Sequence, residues 1–536
     1  MINSWFRISK AQIVVAVICF LTVWKSDLTF ETYQEINMPV FDGVMYEKKG
    51  IDRLDKFSEN FSLVNRYSQA YFEFFTNPVS AFFSSIVTVV YPKWLAGNTH
   101  ILVRSFLALL AFGLLLSELL PFKQAWRKVL VIGLLYGNFF FFDFRVGLGS
   151  FIPEITCTLL LLSAYMSLWL YIQRKQFKYL ALTMIFITIG VGSRYNFVVF
   201  NLLVLLPLIP IVLLEFLRVV QRYRWFKIGI ILGWLFLLGT YLYVHLDFFL
   251  SYYFKPVVYE ETSLFLSCSF LLKNFFNGFG WSGMASLAIV FLIAAAGQDR
   301  LKRPVRNLIF AWYPFVFFLI FLLLQKRGYN VPHINTLNFV ALLFAVALPI
   351  QQFRFLLEKK VTVVLCVLSG AVVFGQHYYY HRKLISYQSL DDDNLVPRMI
   401  ATNLSNKLLN GEQVNYMTAF ESLLEVPIDV AVYRKTKIWL GTTNQFYLND
   451  WNLWDIDTSL NVDRISEYYK NSIIEKKISP FYIGKELPKM YRGFTTASEV
   501  HGQLYDFIAH HSAYMMTDTF HSEYHGTIYM FELISK

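Results

Sequence analysis

Charge is what this 536-residue chain has least of. Only 16% of residues are Asp, Glu, Lys or Arg, against 56% hydrophobic, whereas soluble globular proteins carry about 25% charged residues. Mean hydropathy is +0.44. So little polar surface excludes an ordinary water-soluble fold of several domains, and it excludes disorder equally. Cysteine is scarce too, with four residues in the chain: Cys19, Cys157, Cys268 and Cys366. None falls in the last 160 residues, so a disulfide scaffold and a thiolate metal site are both excluded. Three lie in apolar runs suited to helices, where buried, inert thiols are expected. Neither a Gly-x-Gly-x-x-Gly loop, a phosphate-binding Walker loop nor a serine-nucleophile elbow occurs. No internal repeat marks a duplicated transporter.

What is abundant is aromatic and apolar: 53 Phe, 33 Tyr and long hydrophobic runs. Segments able to cross about 30 Å of hydrocarbon fall near 8–26, 100–121, 127–142, 153–172, 178–192, 196–216, 228–248, 284–297, 308–324, 337–350 and 361–376. The expected fold is therefore mainly α, a polytopic membrane protein of about eleven helices.

The net charge of +11 is distributed unevenly. From His377 onward there are 15 basic and 19 acidic residues, leaving 33 basic and 18 acidic in the first 376. The basic residues of that first part come in short runs between apolar segments: Arg7/Lys10, Lys123/Arg127/Lys128, Arg174/Lys175/Lys178, Arg218/Arg222/Arg224/Lys227, Arg300/Lys302/Arg303/Arg306 and Arg354/Lys359/Lys360. Their spacing follows the positive-inside rule and not the contiguous stripe that nucleic acid requires. It predicts a multi-pass protein of the cytoplasmic membrane with a cytoplasmic N-terminus. An odd number of crossings then exports the C-terminal part. The first apolar segment, followed by Trp24-Lys25-Ser26, has no small-residue cleavage site and reads as an uncleaved anchor.

The organisation expected is a transmembrane domain over 1–376, an exported first loop over 27–98, and an exported domain over 377–536. The first loop carries an amphipathic stretch (65–75) and a short apolar one (79–91), suited to interfacial helices. A third exported stretch, 250–283, is apolar enough to be re-entrant. The C-terminal 160 residues mix a helical segment (395–409) with β-rich runs at 414–420, 436–441, 513–517 and 527–533. The last two suggest a closing hairpin, and the whole an α/β or α+β domain.

Ionisable residues at the exported ends of membrane segments are the first functional suspects. Asp42 and Tyr46 lie in Asp42-Gly-Val-Met-Tyr46 of the first loop. Asp143, Arg145 and Glu154 flank the second, and Arg194 sits in a short exported turn. Lys326, Arg327, Tyr329 and His333 occupy Gln325-Lys-Arg-Gly-Tyr-Asn-Val-Pro-His333. A carboxylate near water can act as general base toward a hydroxyl. A guanidinium or ammonium can hold a phosphate and stabilise it as it leaves. Each residue also has a plainer role open to it: Asp42 in a local turn with Gly43, Asp143 and Arg145 paired with each other, Glu154 at a helix start, and Arg194, Lys326 and Arg327 as interfacial anchors. His510/His511 and His521/His525 lack the carboxylate or cysteine partners of a metal site.

The layout resembles the GT-C superfamily of polyprenyl-phosphate-sugar-dependent integral membrane glycosyltransferases. The likeness rests on a long exported loop after the first helix with Asp42-Gly-Val-Met-Tyr46, similar to the family's Asp-Glu-x-x-Tyr motif. It rests also on the Pro-containing Thr76-Asn-Pro78 segment, on Arg327-Gly-Tyr329-Asn-Val-Pro332, and on a C-terminal globular domain. Gly43 stands where the family has a second acid. The resemblance implies transfer of a hexose or pentose from a polyprenyl phosphate to a lipid-linked glycan, lipopolysaccharide, envelope polymer or protein. Asp42 would then be the base, Arg327 the phosphate ligand, and Tyr46, Asp143, Arg145, Glu154, Arg194, Lys326, Tyr329 and His333 substrate contacts. No cofactor is demanded; Asp143 or Glu154 would orient substrate or, as the lesser alternative, bind a divalent cation. The rival expectations are an O-antigen polymerase or ligase, a lipid or glycan transporter without catalysis, and a non-catalytic scaffold.

Overall fold

A computed structural model describes residues 10–36, 96–119, 125–137, 139–142, 147–148, 154–193, 196–219, 224–244, 246, 371, 375, 378, 395–419, 425–440, 462–486, 495–522 and 525–534. The chain divides into two compact units, Met1–Phe30 with Phe61–His381 and Glu31–Asn60 with Arg382–Lys536.

The first unit is helical: α1 (Lys10–Ile36), α2 (Ala96–Leu119), α3 (Ala125–Tyr136), α4 (Glu154–Arg174), α5 (Phe177–Ser193), α6 (Asn196–Leu205), α7 (Ile209–Val219) and α8 (Arg224–Val244). The unit boundary falls inside α1, after Phe30. Four described helices are long and apolar enough to cross a membrane: Lys10–Thr29, Leu102–Leu119, Ile155–Arg174 and Arg224–Tyr243. The apolar α5 is shorter.

Burial orders these helices. In α4, 94% of the spanning window is buried, because its neighbours surround it, and a helix in that position must be apolar on every side. Its hydroxyls are absorbed locally. Ser163 donates to the Leu159 carbonyl at 2.7 Å, and the Ser167 and Thr183 hydroxyls lie 2.7 Å apart between α4 and α5. Small side chains permit close approach elsewhere. A Cβ on Gly113 of α2 would lie 2.6 Å from the Tyr136 hydroxyl and 2.9 Å from Val15. Tyr136 is wholly buried, donates to the Leu109 carbonyl at 2.6 Å, and meets Phe141 edge-on.

Three expected segments differ from the structure. The run 127–142 is not one crossing: α3 stops at Tyr136 after 12 residues, and Phe139–Phe142 forms a 3₁₀ turn. Gly137 and the bulk of Phe141 and Phe142, both buried, turn the chain into the core instead of continuing across it. The run 196–216 is broken into α6 and α7 by the 3₁₀ turn Leu206–Leu208, because Pro207 has no N–H to continue the helical ladder. The first helix continues to Ile36, ten residues past the expected end at 26. The expected segments at 284–297, 308–324 and 337–350, the interfacial stretches at 65–75 and 79–91, and the stretch 250–283 lie outside the described residues; of 361–376 only Ala371 and Gly375 are described, both helical.

Most described basic residues of this unit gather at one end of the bundle, where α2, α4 and α7 finish and α3, α5 and α8 begin. Arg174 donates to Glu118 at 2.6 Å and to the Tyr179 hydroxyl, which itself donates to Glu118 at 2.6 Å. Lys128 reaches the Ser117 carbonyl at 2.6 Å. Lys175 pairs with Glu215, which Arg218 also approaches at 3.6 Å. The tight α4–α5 connection depends on Lys175 adopting φ 58° while its N–H closes on the Tyr171 carbonyl.

The second unit is a three-layer sandwich. Its elements run α9 (Leu395–Leu409), β1 (Met417–Ala419), α10 (Glu425–Thr436), α11 (Val462–Glu475), β2 (Phe481–Gly484), α12 (Thr495–His510), β3 (Tyr514–Ser522) and β4 (Gly526–Leu533). The sheet order is β1-β2-β4-β3, with β1 and β2 parallel and the other pairs antiparallel. The helical segment expected at 395–409 is α9, and it ends where Gly411 takes φ 81°. The closing hairpin is β3–β4. The β-rich run 436–441 is not a strand: Thr436 ends α10, and Lys437, at φ 61°, caps it through the Tyr433 carbonyl.

Alternation along the strands feeds two cores. Phe481, Ile483 and Phe531 meet Val500, Leu504 and Ile508 of α12, with Ile473 of α11. Tyr482, Ile528 and Met530 meet Val396, Ile400 and Leu404 of α9, with Ile428 and Val432 of α10. The four-residue spacing on α9 and α12 gives each helix one apolar stripe. In β3, Tyr514 belongs to the first core and Phe520 to the second, although both are even-numbered. The register shift between Met516 and Asp518 makes this possible, since one bulged residue exchanges the faces of all that follow.

Candidate functional site

At the end of the first unit opposite the basic cluster, polar groups of three segments interlock. Ser26 of α1 donates to the Phe141 carbonyl at 2.8 Å, and the same carbonyl accepts from Leu148 N–H at 3.0 Å. The Leu148 carbonyl in turn accepts from Ser105 of α2 at 2.8 Å. The Leu148–Phe141 bond thereby closes a short loop, and the two serines fasten it to α1 and α2. Both serines are buried, so these bonds stand in for water that cannot reach the carbonyls.

Beside Ser105 sits Arg104, buried to 9% exposure inside a membrane-length helix. A guanidinium in such surroundings is costly unless anionic or polar groups meet it, which makes it a functional suspect on physical grounds. Arg104 does not stand out in the sequence because it is alone within the apolar run 100–121 and outside every basic cluster. Its signal was that isolation.

A second polar set lies where α4 begins, α5 ends and α6 begins. Thr156, Cys157 and Thr158 are buried on the first turns of α4. Cys157 faces the Gly190 carbonyl at 4.0 Å, and the Asn201 amide lies beside Gly190 from α6. Ser193, the last residue of α5, donates to the Ile189 carbonyl at 2.7 Å.

These described anchors flank four of the positions singled out from sequence. In sequence Asp143 and Arg145 fall between Phe142 and Gly147, Glu154 opens α4, and Arg194 falls between Ser193 and Asn196. The described residues on either side of these positions thus lie at one end of the same bundle. Asp143, Arg145 and Arg194 themselves lie outside the described residues, as do Asp42, Tyr46, Lys326, Arg327, Tyr329 and His333; for Glu154 the helical backbone is described and the side chain is not. Cys19 and Cys157 are buried free thiols, and Cys268 and Cys366 lie outside the described residues. The run Phe139–Phe142 serves packing: Phe141 and Phe142 are core residues.

The histidines of the second unit make separate local bonds. His510 meets the Asp506 carbonyl at 2.8 Å, His521 the Thr527 hydroxyl at 3.1 Å, and His525 the Ser522 hydroxyl at 3.4 Å, while His511 accepts from Ala513 N–H at 3.2 Å. Among the described residues no three His, Cys, Asp or Glu side chains gather as metal ligands do. The second unit buries polar groups of its own. Asp429 is fully buried on α10 and accepts a short hydrogen bond from Tyr416. Tyr482 donates to Asn403 at 3.0 Å, and burial raises its phenol well above the ordinary value. Lys407 bridges Glu532 at 2.6 Å and Glu412 at 3.2 Å. Burial pulls the Lys407 ammonium down, but those two carboxylates outweigh it and hold the group above its usual range. These groups join α9 and α10 to the sheet, which is a structural duty.

No protein-family model matches the chain, and no curated protein sequence matches it.

Proposed function

We propose that this protein is an integral membrane glycosyltransferase that takes a sugar from a polyprenyl phosphate and passes it to an acceptor hydroxyl on a glycan, lipid, envelope polymer or protein. The reading places about eleven helices across the cytoplasmic membrane, with the basic end cytoplasmic and the second unit exported. Asp42 takes the proton from the acceptor hydroxyl. The acceptor oxygen bonds to the anomeric carbon, the carbon–oxygen bond to phosphate breaks, and polyprenyl phosphate departs with its new charge held by Arg327.

The observation that carries the reading is the polar end of the first unit: a buried Arg104 beside a loop pinned by Ser26 and Ser105. It lies opposite the basic cluster, where the charge pattern predicts the exported face. An enzyme that handles a lipid phosphate needs cationic and polar groups held rigidly at the edge of an apolar bundle. The structural support is for that arrangement, and the chemistry comes from the sequence resemblance.

The test is transfer of radiolabelled sugar from polyprenyl phosphate donors by the purified full-length protein, with Asp42→Asn in parallel. Turnover by the wild type and its loss in the variant by on the order of a hundredfold or more is expected. Absence of turnover on every donor, together with activity in a lipid-flipping assay, would transfer the case to the transporter reading.

A further inference from the structure

The basic cluster contains more positive charge than its acids engage. Glu118 is taken up by Arg174 and Tyr179, and Glu215 by Lys175 and Arg218. Lys178, Arg224 and Lys227 have no carboxylate partner among the described residues. Instead their cationic groups lie over aromatic rings: Lys178 over Tyr179 at 4.8 Å, Arg224 over Trp225 at 5.9 Å, and Lys227 over Phe177 at 5.8 Å. The Lys227–Phe177 contact puts the starts of α5 and α8 side by side. Further along, Trp234 of α8 donates to Thr188 of α5 at 2.8 Å, so the two helices run parallel.

From that corner α8 extends as an apolar helix with none of its spanning window buried. Trp225 is 79% exposed and Phe226 71%, at the level of the cations; Leu232, Phe236 and Leu237 continue the exposed surface away from them. An aromatic pair at the charged end and an aliphatic face beyond is the order of an interface followed by hydrocarbon. A molecule matching this surface carries a phosphodiester anion at one end and acyl chains at the other.

We propose that the corner formed by Lys178, Arg224 and Lys227 is a binding site for an anionic phospholipid, its acyl chains lying along the exposed face of α8. The site is at the end of the bundle opposite Arg104, so it is independent of the proposed transfer reaction. Its charge complementarity selects phosphatidylglycerol or cardiolipin headgroups over zwitterionic ones. Each cation near the headgroup contributes roughly fivefold in binding, so neutralising all three lowers it by on the order of a hundredfold.

The experiment is native mass spectrometry of the full-length protein, delipidated in dodecyl maltoside and re-exposed to equal amounts of phosphatidylglycerol and phosphatidylcholine. Wild type is expected to retain phosphatidylglycerol preferentially, less so as salt rises. The triple variant Lys178→Gln, Arg224→Gln, Lys227→Gln loses that preference. Lys178→Arg with Lys227→Arg keeps it, as does Lys476→Gln in the second unit. Equal retention of both lipids by wild type overturns the proposal without needing any variant. A triple variant that elutes as folded protein and still prefers phosphatidylglycerol overturns it as well.

Discussion

His501 offers a quantitative test of the second unit. It lies on α12 with 1% of its surface exposed, and its Nε2 is 2.8 Å from the Gly484 carbonyl at the end of β2. A carbonyl only accepts, so Nε2 carries a proton. Burial penalises the imidazolium and pulls the pKa down to about 4, against a partial upward effect from the Gly484 bond. The unfolded chain titrates near 6.5, so the unfolded state binds the extra proton first as pH falls. Stability is therefore intact above about pH 6.5 and declines toward pH 4. Between pH 7 and pH 5 the loss is about 2 kcal/mol, some thirtyfold in the opening equilibrium. Hydrogen exchange of the β2 and β4 amides in the full-length protein, corrected for intrinsic rates, reads this directly. His501→Gln retains a donor toward Gly484 and removes the titration, so its opening free energy is nearly flat over the same interval. Equal pH slopes in wild type and variant would refute the assignment.

Four further outcomes are expected. Gly113→Ala drives a Cβ against the Tyr136 hydroxyl and Val15 and lowers stability by about 1–3 kcal/mol; Tyr136→Phe in that background restores part of it, read as thermal inactivation rates of the detergent-solubilised protein. Tyr416→Phe removes a donor from the buried Asp429 carboxylate and costs about 2 kcal/mol, whereas Tyr482→Phe, whose partner Asn403 is neutral, costs nearer 1 kcal/mol; exchange of the α9 and α10 amides separates the two. Deleting Thr517 removes the extra residue at the register shift in β3 and leaves Phe520 opposite Ile528 on its own face, because the shortened strand alternates regularly, so the hairpin keeps its exchange protection. Ser105→Ala frees the Leu148 carbonyl from α2 and, under the glycosyltransferase reading, slows sugar transfer by on the order of tenfold, with stability changed by about 1 kcal/mol.

Several features were legible in the chain before any coordinates. Apolar length marked α1, α2, α4 and α8 as helices long enough to cross a membrane, because the cost of an unbonded backbone in hydrocarbon leaves little but helix for such runs. The helical segment 395–409 is α9 with both its ends, and β-rich runs joined by a short connection marked the β3–β4 hairpin. These signals are local, so they survive in one dimension. Composition could not tell that 127–142 turns into the core at Phe139 or that α6 and α7 are separate helices. An apolar run reads alike whether it faces lipid or protein.

Other features needed the third dimension. Ser26, Phe141, Leu148 and Ser105 are up to 122 residues apart in numbering, yet they share one chain of hydrogen bonds. Arg104 acquires meaning only from being buried beside that chain. That Lys178, Arg224 and Lys227 meet aromatic rings and no carboxylate among the described residues likewise depends on which cations Glu118 and Glu215 captured, a competition among neighbours in space. The sequence by itself determined which segments are apolar and where charge is concentrated, since solvation acts residue by residue. Tertiary structure alone decided which polar groups meet, because hydrogen bonds and ion pairs are matters of a few ångströms between segments that the chain order keeps apart.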